Sequence, residues 1–251
     1  MTRRGQLDFE NTTPVERAIA RLRQFEPSEG YYLAFSGGKD SVALMGLANE
    51  ADVRFDAHHS LTTIDPPELV QFVKTCPVQV DKPSKSFHQW MQSEGIPTRT
   101  RRWCCKRLKE RGGSGRIVLT GIRAAESTAR RRRRMVETCY QDSTRRFVHP
   151  IIDWTTADVW AYIRDRKLPY CSLYDEGFAR LGCVLCSMSG DTKIHLARWP
   201  KTCEAIKHSV YRYWERQTKG GQRFPTPGSL WLWWLDRDSK APSEYEQRLF
   251  D

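Results

Sequence analysis

No apolar run in the 251 residues approaches the roughly 18 needed to cross a bilayer, so no membrane-spanning helix is expected. The first residues, Met1-Thr2-Arg3-Arg4-Gly5, lead into polar sequence without the apolar centre of a secretory signal, and the expectation is a cytoplasmic protein with no membrane contact. The Walker A spacing G-x-x-x-x-G-K-[ST] is missing, which argues against the P-loop manner of holding a nucleotide. There is no internal repeat, and the only low-complexity tract is one run of arginines. No cysteine follows Cys203.

What is present begins at Tyr31-Tyr32-Leu33-Ala34-Phe35, an apolar strand that runs into Ser36-Gly37-Gly38-Lys39-Asp40-Ser41. Two glycines permit a turn with positive φ and a close approach of the backbone to a ligand. The helix expected from Lys39 offers unpaired N–H groups and the positive end of its dipole. Lys39 adds a full charge, and Ser36 and Ser41 add hydroxyls. The alternative is an ordinary strand-to-helix turn with a capped helix; the hexamer's composition favours phosphate.

Around this loop the periodicities give a helix over Val15–Leu22 ending before Pro27, a helix over Ser41–Glu50 and a strand over Val53–Ala57, a β-α-β unit and hence a parallel sheet. His58-His59-Ser60 closes that strand where open α/β sheets bind ligands. The two histidines read as structural in preference to base or ribose contacts. A helix over Glu68–Lys74, a short strand at Val78–Val80, a helix over Ser86–Glu94 and a strand over Ile117–Leu119 follow. Thr155 to Asp158 starts a helix through Arg166. Beyond it a helix over Ala205–Gln217 precedes Leu230-Trp231-Leu232-Trp233-Trp234-Leu235, which reads as core or as a homodimer interface before it reads as a stacking platform. The expected organisation is an N-terminal helix (1–28), a nucleotide-binding and cysteine domain (29–190), and a helical, Trp-rich C-terminal extension (191–251).

The formal charge of +11 is concentrated. Arg99 to Arg146 carry 16 Lys and Arg against 4 Asp and Glu, and the remainder, 25 against 26, is nearly neutral. Such a block is usually a solvated face or a disordered arm, and beside a phosphate loop it fits equally an anionic macromolecule such as nucleic acid or a highly charged nucleotide. The Arg130–Arg134 run, with no aromatic interleaved, reads equally well as a mobile basic loop or as a phosphate contact.

Eight cysteines in a cytoplasmic chain favour metal or sulfur chemistry over disulfides. Cys104-Cys105 and the Cys183-x-x-Cys186 pair, with Cys171 as a fifth candidate, supply enough thiolates for a 4Fe-4S cluster or for zinc. Adjacent cysteines suit the cluster better than a zinc ribbon. Which four of the five ligate stays open.

Ser36-Gly37-Gly38-Lys39-Asp40-Ser41, Arg102-Trp103-Cys104-Cys105-x-x-Leu108-Lys109, Gly121-Ile122-Arg123-x-x-Glu126-Ser127-x-x-Arg130 and the stretch from His149 through Cys186 occur in that order. Together they resemble the phosphoadenosine phosphosulfate reductase family of PP-loop ATP pyrophosphatases, over roughly residues 25–190. The resemblance implies an adenine-nucleotide-α-hydrolase-like (Rossmann-like) α/β fold, a parallel sheet with helices on both faces, joined here to a cysteine-containing loop region and a helical C-terminal extension. It implies an adenine-nucleotide site of Ser36, Gly37, Gly38, Lys39, Asp40, Ser41, Ser60, Gly121, Arg123, Glu126 and Arg130, with Lys39, Asp40 and Arg123 as catalytic groups. The cysteine pattern looks like the cluster ligands of adenylylsulfate reductases and of DndC/SspD-type phosphorothioation proteins. Sulfonucleotide reductases attack with a cysteine in a C-terminal Glu-Cys-Gly segment that has no counterpart here. The expected activity is therefore ATP pyrophosphatase chemistry with Mg²⁺, adenylating an acceptor, DNA favoured, for sulfur supplied by a cysteine desulfurase. Sulfite release from a sulfonucleotide and non-catalytic nucleic-acid binding are the alternatives.

Overall fold

A computed structural model describes residues 12–217 and 223–236. The N-terminal segment before Thr12 and the terminal residues after Asp236, on which some of the expected domain limits fall, lie outside the described residues.

The chain opens with α1 (Pro14–Gln24), where the Thr13 hydroxyl accepts from the Glu16 amide and the Glu16 carboxylate reciprocates on the Thr13 amide. Such a cap is worth about 1 kcal/mol. Ala18 and Leu22, one turn apart, face the core. Strand β1 (Tyr31–Ala34) is buried along nearly its whole length, as a central strand covered on both sides must be. Helix α2 (Lys39–Glu50), β2 (Phe55–Ser60), α3 (Pro67–Thr75) and β3 (Gln79–Asp81) extend the sheet outward on one side. After α4 (Phe87–Glu94) the chain returns to the other side of β1 with β4 (Ile117–Leu119), then α5 (Thr128–Arg131), β5 (Val136–Thr138), β6 (Arg146–Val148) and α6 (Thr156–Asp165). The sheet order is β3-β2-β1-β4-β6-β5.

Five of the six strands run parallel, and β5 pairs antiparallel with β6 at the edge. The sheet is therefore mixed, and the sequence pattern had not indicated its last hairpin. Because successive strands depart from β1 in opposite directions, the crevice between the ends of β1 and β4 is a topological switch point, the place where open α/β sheets hold ligands. The Ser36–Ser41 loop leaves β1 there, and Gly121-Ile122-Arg123 leaves β4.

The described chain forms two compact units, each discontinuous in sequence. The first takes in the described residues up to Ser60, then Glu68–Asp81 and Gly112–Leu181, and contains the whole sheet with α1, α2, α5 and α6. The second takes in Leu61–Pro67, Lys82–Arg111 and the described residues from Gly182 onward. It holds α4, α7 (Thr192–Arg198), α8 (Pro200–Glu215) and α9 (Pro227–Leu235), with α8 packed on α4, α7 and α9. The expected limits at 28/29 and 190/191 thus do not coincide with the compact units, because the cysteine segments group with the C-terminal helices. Phe87, Met91, Trp103, Leu108, Ile206, Trp231 and Trp234 are buried in this second unit. Trp231 and Trp234 are core residues of it, while Leu232 between them is exposed. No described helix is long and apolar enough to cross a membrane.

Candidate nucleotide site and cysteine pocket

The phosphate loop has the geometry its glycines require. Gly37 sits at φ +77°, and a Cβ there would lie 2.5 Å from Leu69 Cδ1, so both conformation and space demand glycine. Gly38 is the N-cap of α2 and offers no side chain; its carbonyl accepts from the Ser41 and Val42 amides. The Ser36 and Ser41 hydroxyls lie 3.2 Å apart, and Ser41 also donates to the Gly38 carbonyl at 2.8 Å. The Lys39 amide donates instead to the Tyr174 hydroxyl at 2.8 Å. Lys39 itself is only 5 % exposed, its ammonium 3.3 Å from the Ala179 carbonyl, 3.4 Å from Asp40 Oδ2 and over the Tyr174 ring. Burial holds the Tyr174 hydroxyl protonated, well above its ordinary range.

Asp40 is bracketed by two cations. Arg123 Nε donates to its Oδ1 at 2.7 Å, and Arg123, 2 % exposed, also reaches the Trp154 carbonyl and Thr156 Oγ1 through Nη1. This contact depends on Gly121, where a Cβ would stand 2.9 Å from the Asp40 backbone. Lys39, Asp40 and Arg123 together leave one net positive charge at the N-terminus of α2, and the dipole adds to it. As placed, Arg123 is a strut that fixes Asp40, and both oxygens of Asp40 are engaged by cations, so its carboxylate does not offer itself to Mg²⁺. Glu126 caps the Arg123 amide and pairs with Arg130, so these two candidates bind one another. Ser60 ends β2 at the same sheet edge.

Of the arginine run, Arg130 pairs with Glu126 and Arg133 with Glu137, while Arg131, Arg132 and Arg134 are exposed. The run is therefore ordered in part, across α5 and the approach to β5. His58 bridges Asp56 and Asp81, and His59 Nδ1 lies 3.0 Å from the Phe35 carbonyl, structural positions for both. His149 is fully buried against Thr120 Oγ1 at 2.6 Å, and its Nε2 lies 3.8 Å from Glu137 Oε2, an ion-pair contact just beyond hydrogen-bond reach. Burial and the neighbouring Arg133 push it down to about 4.

In the second unit four of the five candidate cysteines line one cavity of about 30 Å³, namely Cys104, Cys105, Cys183 and Cys186. Cys171 belongs to the first unit and does not line it. A π-helical turn over Cys105–Lys109 opens the ladder next to the adjacent pair, a feature frequent at functional sites. The adjacent thiols pull against each other, Cys104 being pushed up and Cys105 drawn down by its neighbour and by the Arg102 guanidinium 3.4 Å from its sulfur. Burial pushes Cys183 up, and Thr62 Oγ1 lies 3.4 Å from its sulfur. Leu185, between the paired cysteines, adopts φ +52°, and its amide donates to His195 Nδ1 at 2.9 Å. Among the described residues no three His, Cys, Asp or Glu side chains are already gathered around a single metal-ion position. The donor chemistry nonetheless fits a thiolate-bound group: four sulfurs on one small cavity with the Arg102 guanidinium at its side. Cys76, Cys139 and Cys203 instead face the Phe72 carbonyl, Arg145 and the His195 carbonyl.

Sequence reasoning missed Tyr174, Ala179 and His195. Tyr174 and Ala179 lie in the loop read only for its Cys171, Cys183 and Cys186, and a hydroxyl meeting an amide 135 positions away leaves no periodic trace. For His195 the one available signal was a histidine soon after the Cys-x-x-Cys pair.

Residues 30–189 match the phosphoadenosine phosphosulfate reductase domain. The adenosine 5′-phosphosulfate reductase of Oceanobacillus iheyensis is 28% identical over 67% of this chain and 77% of its own length. A probable FAD synthase of Caenorhabditis elegans is 28% identical over 71% of this chain and 34% of its own. The crystal structure of phosphoadenylyl-sulfate reductase from Candida auris superposes with a TM-score of 0.51 at 19% identity, covering 70% of this chain and 90% of that one, which is a likeness of fold. Two further curated relatives are longer proteins, of which this chain spans 40% and 45%. With its loop, switch-point crevice and matched residues, the chain belongs to the phosphoadenosine phosphosulfate reductase domain family.

Proposed function

We propose that the protein is a PP-loop ATP pyrophosphatase that adenylates an acceptor, a DNA backbone phosphate in the leading reading, for replacement of oxygen by sulfur. The observation that carries this is the α2 N-terminus: a left-handed Gly37, first-turn amides and a buried Lys39 ammonium with one unit of net positive charge. Such an arrangement stabilises the charge that grows on departing pyrophosphate. An acceptor oxygen forms the new bond to the α-phosphorus, the bond from that phosphorus to the bridging oxygen breaks, and pyrophosphate leaves with the electron pair. Lys39 and the α2 amides hold the β- and γ-phosphates, and Arg123 keeps Asp40 and the loop in register. The terminal sulfur of a cysteine desulfurase persulfide then attacks the acceptor phosphorus, the bond from that phosphorus to AMP breaks and AMP leaves, and a thiol reductant supplies the two electrons that cleave the remaining S–S bond to leave the phosphorothioate. The exposed Arg131, Arg132 and Arg134 support a polyanionic acceptor.

Cys104, Cys105, Cys183 and Cys186 would hold a 4Fe-4S cluster, which supplies electron transfer or a sulfur-binding iron when bound; zinc is the lesser alternative.

A second reading, sulfite release from a sulfonucleotide, is favoured by the likeness to the reductase of Oceanobacillus iheyensis. The test is to incubate anaerobically purified protein with ATP and duplex DNA, and separately with adenylylsulfate and thioredoxin. Pyrophosphate in the first reaction supports adenylation. Sulfite in the second with no pyrophosphate in the first selects the reductase, and DNA binding with neither product selects a binding module.

A further inference from the structure

The segment from Cys171 to Ala179 meets the phosphate loop at two points. The Tyr174 hydroxyl accepts the Lys39 amide hydrogen at 2.8 Å, which is what an anion's oxygen does at a helix N-terminus. The Ala179 carbonyl, five residues on, takes the Lys39 ammonium at 3.3 Å, the other group a phosphate chain needs. Both contacts belong to one braced turn. Cys171 and Leu173 anchor it in the core, and the Asp175, Gly177 and Phe178 amides bond back to Ser172, Tyr174 and Leu173. Tyr170 donates to Asp175 Oδ1 at 3.1 Å. The tip, Asp175 to Gly177, is exposed, and so is Ala179. Tyr174 sits edge-on to Trp160 and leans over Gly38, where a Cβ would stand 3.4 Å from its hydroxyl.

We propose that Tyr174 is a gate: its hydroxyl and the Ala179 carbonyl substitute for phosphate oxygens on the Lys39 amide and ammonium, and a di- or triphosphate binds by displacing both. The inference rests on the nucleotide-binding reading of the loop. Under such a gate the apparent dissociation constant of every ligand equals its intrinsic value divided by the open fraction. Weakening the closed form therefore tightens all ligands by one common factor, whereas a hydroxyl that touches the ligand gives factors that differ between ligands and go the other way.

The discriminating variant is Tyr174→Phe, which keeps the ring, its packing on Trp160 and the cation–π contact with Lys39 and removes one hydrogen bond. Binding of inorganic pyrophosphate, ADP and ATP is measured by calorimetry on the wild type and the variant, with matching thermal unfolding showing that both are folded. A hydroxyl–amide bond of ordinary net strength translates into tightening of about 3- to 10-fold, the same for all three. Unchanged, weaker or ligand-dependent affinities overturn the gate and leave the nucleotide site standing. If only the variant binds, the gate is supported in its strongest form. If neither protein binds any of the three, the phosphate-loop reading falls and takes the gate with it.

Discussion

Arg123 and Asp40 form the buried pair on which the nucleotide site is hung, and a double-mutant cycle measures what it is worth. Arg123 is 2 % exposed and Asp40's side chain 20 %, with Nε and Oδ1 2.7 Å apart. Opposite charges about 4 Å apart attract by about 4 kcal/mol at an effective dielectric of 20, as an upper guide before desolvation is deducted. Arg123→Met leaves Asp40 with Lys39 and some water, so the loss expected is about 2 kcal/mol. Asp40→Asn strands a nearly buried guanidinium and is expected to cost more, about 3 to 5 kcal/mol. Because the double variant strands neither Asp40 nor Arg123 and leaves Lys39 without its carboxylate just as Asp40→Asn does, the coupling energy is expected to be about 2 kcal/mol, read from urea unfolding of the four proteins. Additivity to within about 0.5 kcal/mol would refute the strut. So would an Arg123→Met protein of undiminished stability that no longer binds pyrophosphate, since Arg123 would then be a phosphate ligand.

Gly121→Ala forces a Cβ to 2.9 Å from the Asp40 backbone, and about 1 to 3 kcal/mol of stability is expected to be lost along with ATP affinity; Gly190→Ala, with nothing within 4 Å, is the neutral comparison in thermal unfolding. His149 has a folded value of about 4 against 6.5 when unfolded, so between these the unfolded chain binds the proton and the folded one does not. Stability should accordingly fall by about 3 kcal/mol from pH 7 to pH 4, and His149→Gln should flatten that slope in urea titrations, whereas an unchanged slope contradicts the assignment. Iron and acid-labile sulfide are expected in anaerobically purified wild type, Cys171→Ser and Cys139→Ser and absent from Cys186→Ser and Cys105→Ser; zinc in their place would remove the cluster.

The central β-α-β unit was legible because strand, Gly-Gly turn and buried helix each leave a local signature, and helix α4 was read to within one residue, Ser86 proving to be its cap and not its first turn. The β5–β6 hairpin was not, since Val136–Thr138 is three residues beside an arginine run and owes its strand to pairing with β6. The candidate site was half legible. Its residue types were read, but the partition of roles was not: Arg123, Glu126 and Arg130 all carry groups a nucleotide could use, and only the fold shows them bonded to Asp40 and to each other. Which of the five cysteines share a cavity was likewise beyond the sequence, because only tertiary structure brings Cys104 and Cys105 to the cavity lined by Cys183 and Cys186 across almost eighty residues.

The central claim, cleavage between the α- and β-phosphates of ATP at the Ser36–Ser41 loop, is tested most directly by exchange of labelled pyrophosphate into ATP in the presence of duplex DNA. The account expects exchange by anaerobically purified wild type and a loss of at least about 100-fold in Lys39→Ala, the size of effect that removal of one transition-state charge partner produces. Exchange at the wild-type rate in Lys39→Ala, or none by wild type while adenylylsulfate yields sulfite, would contradict it.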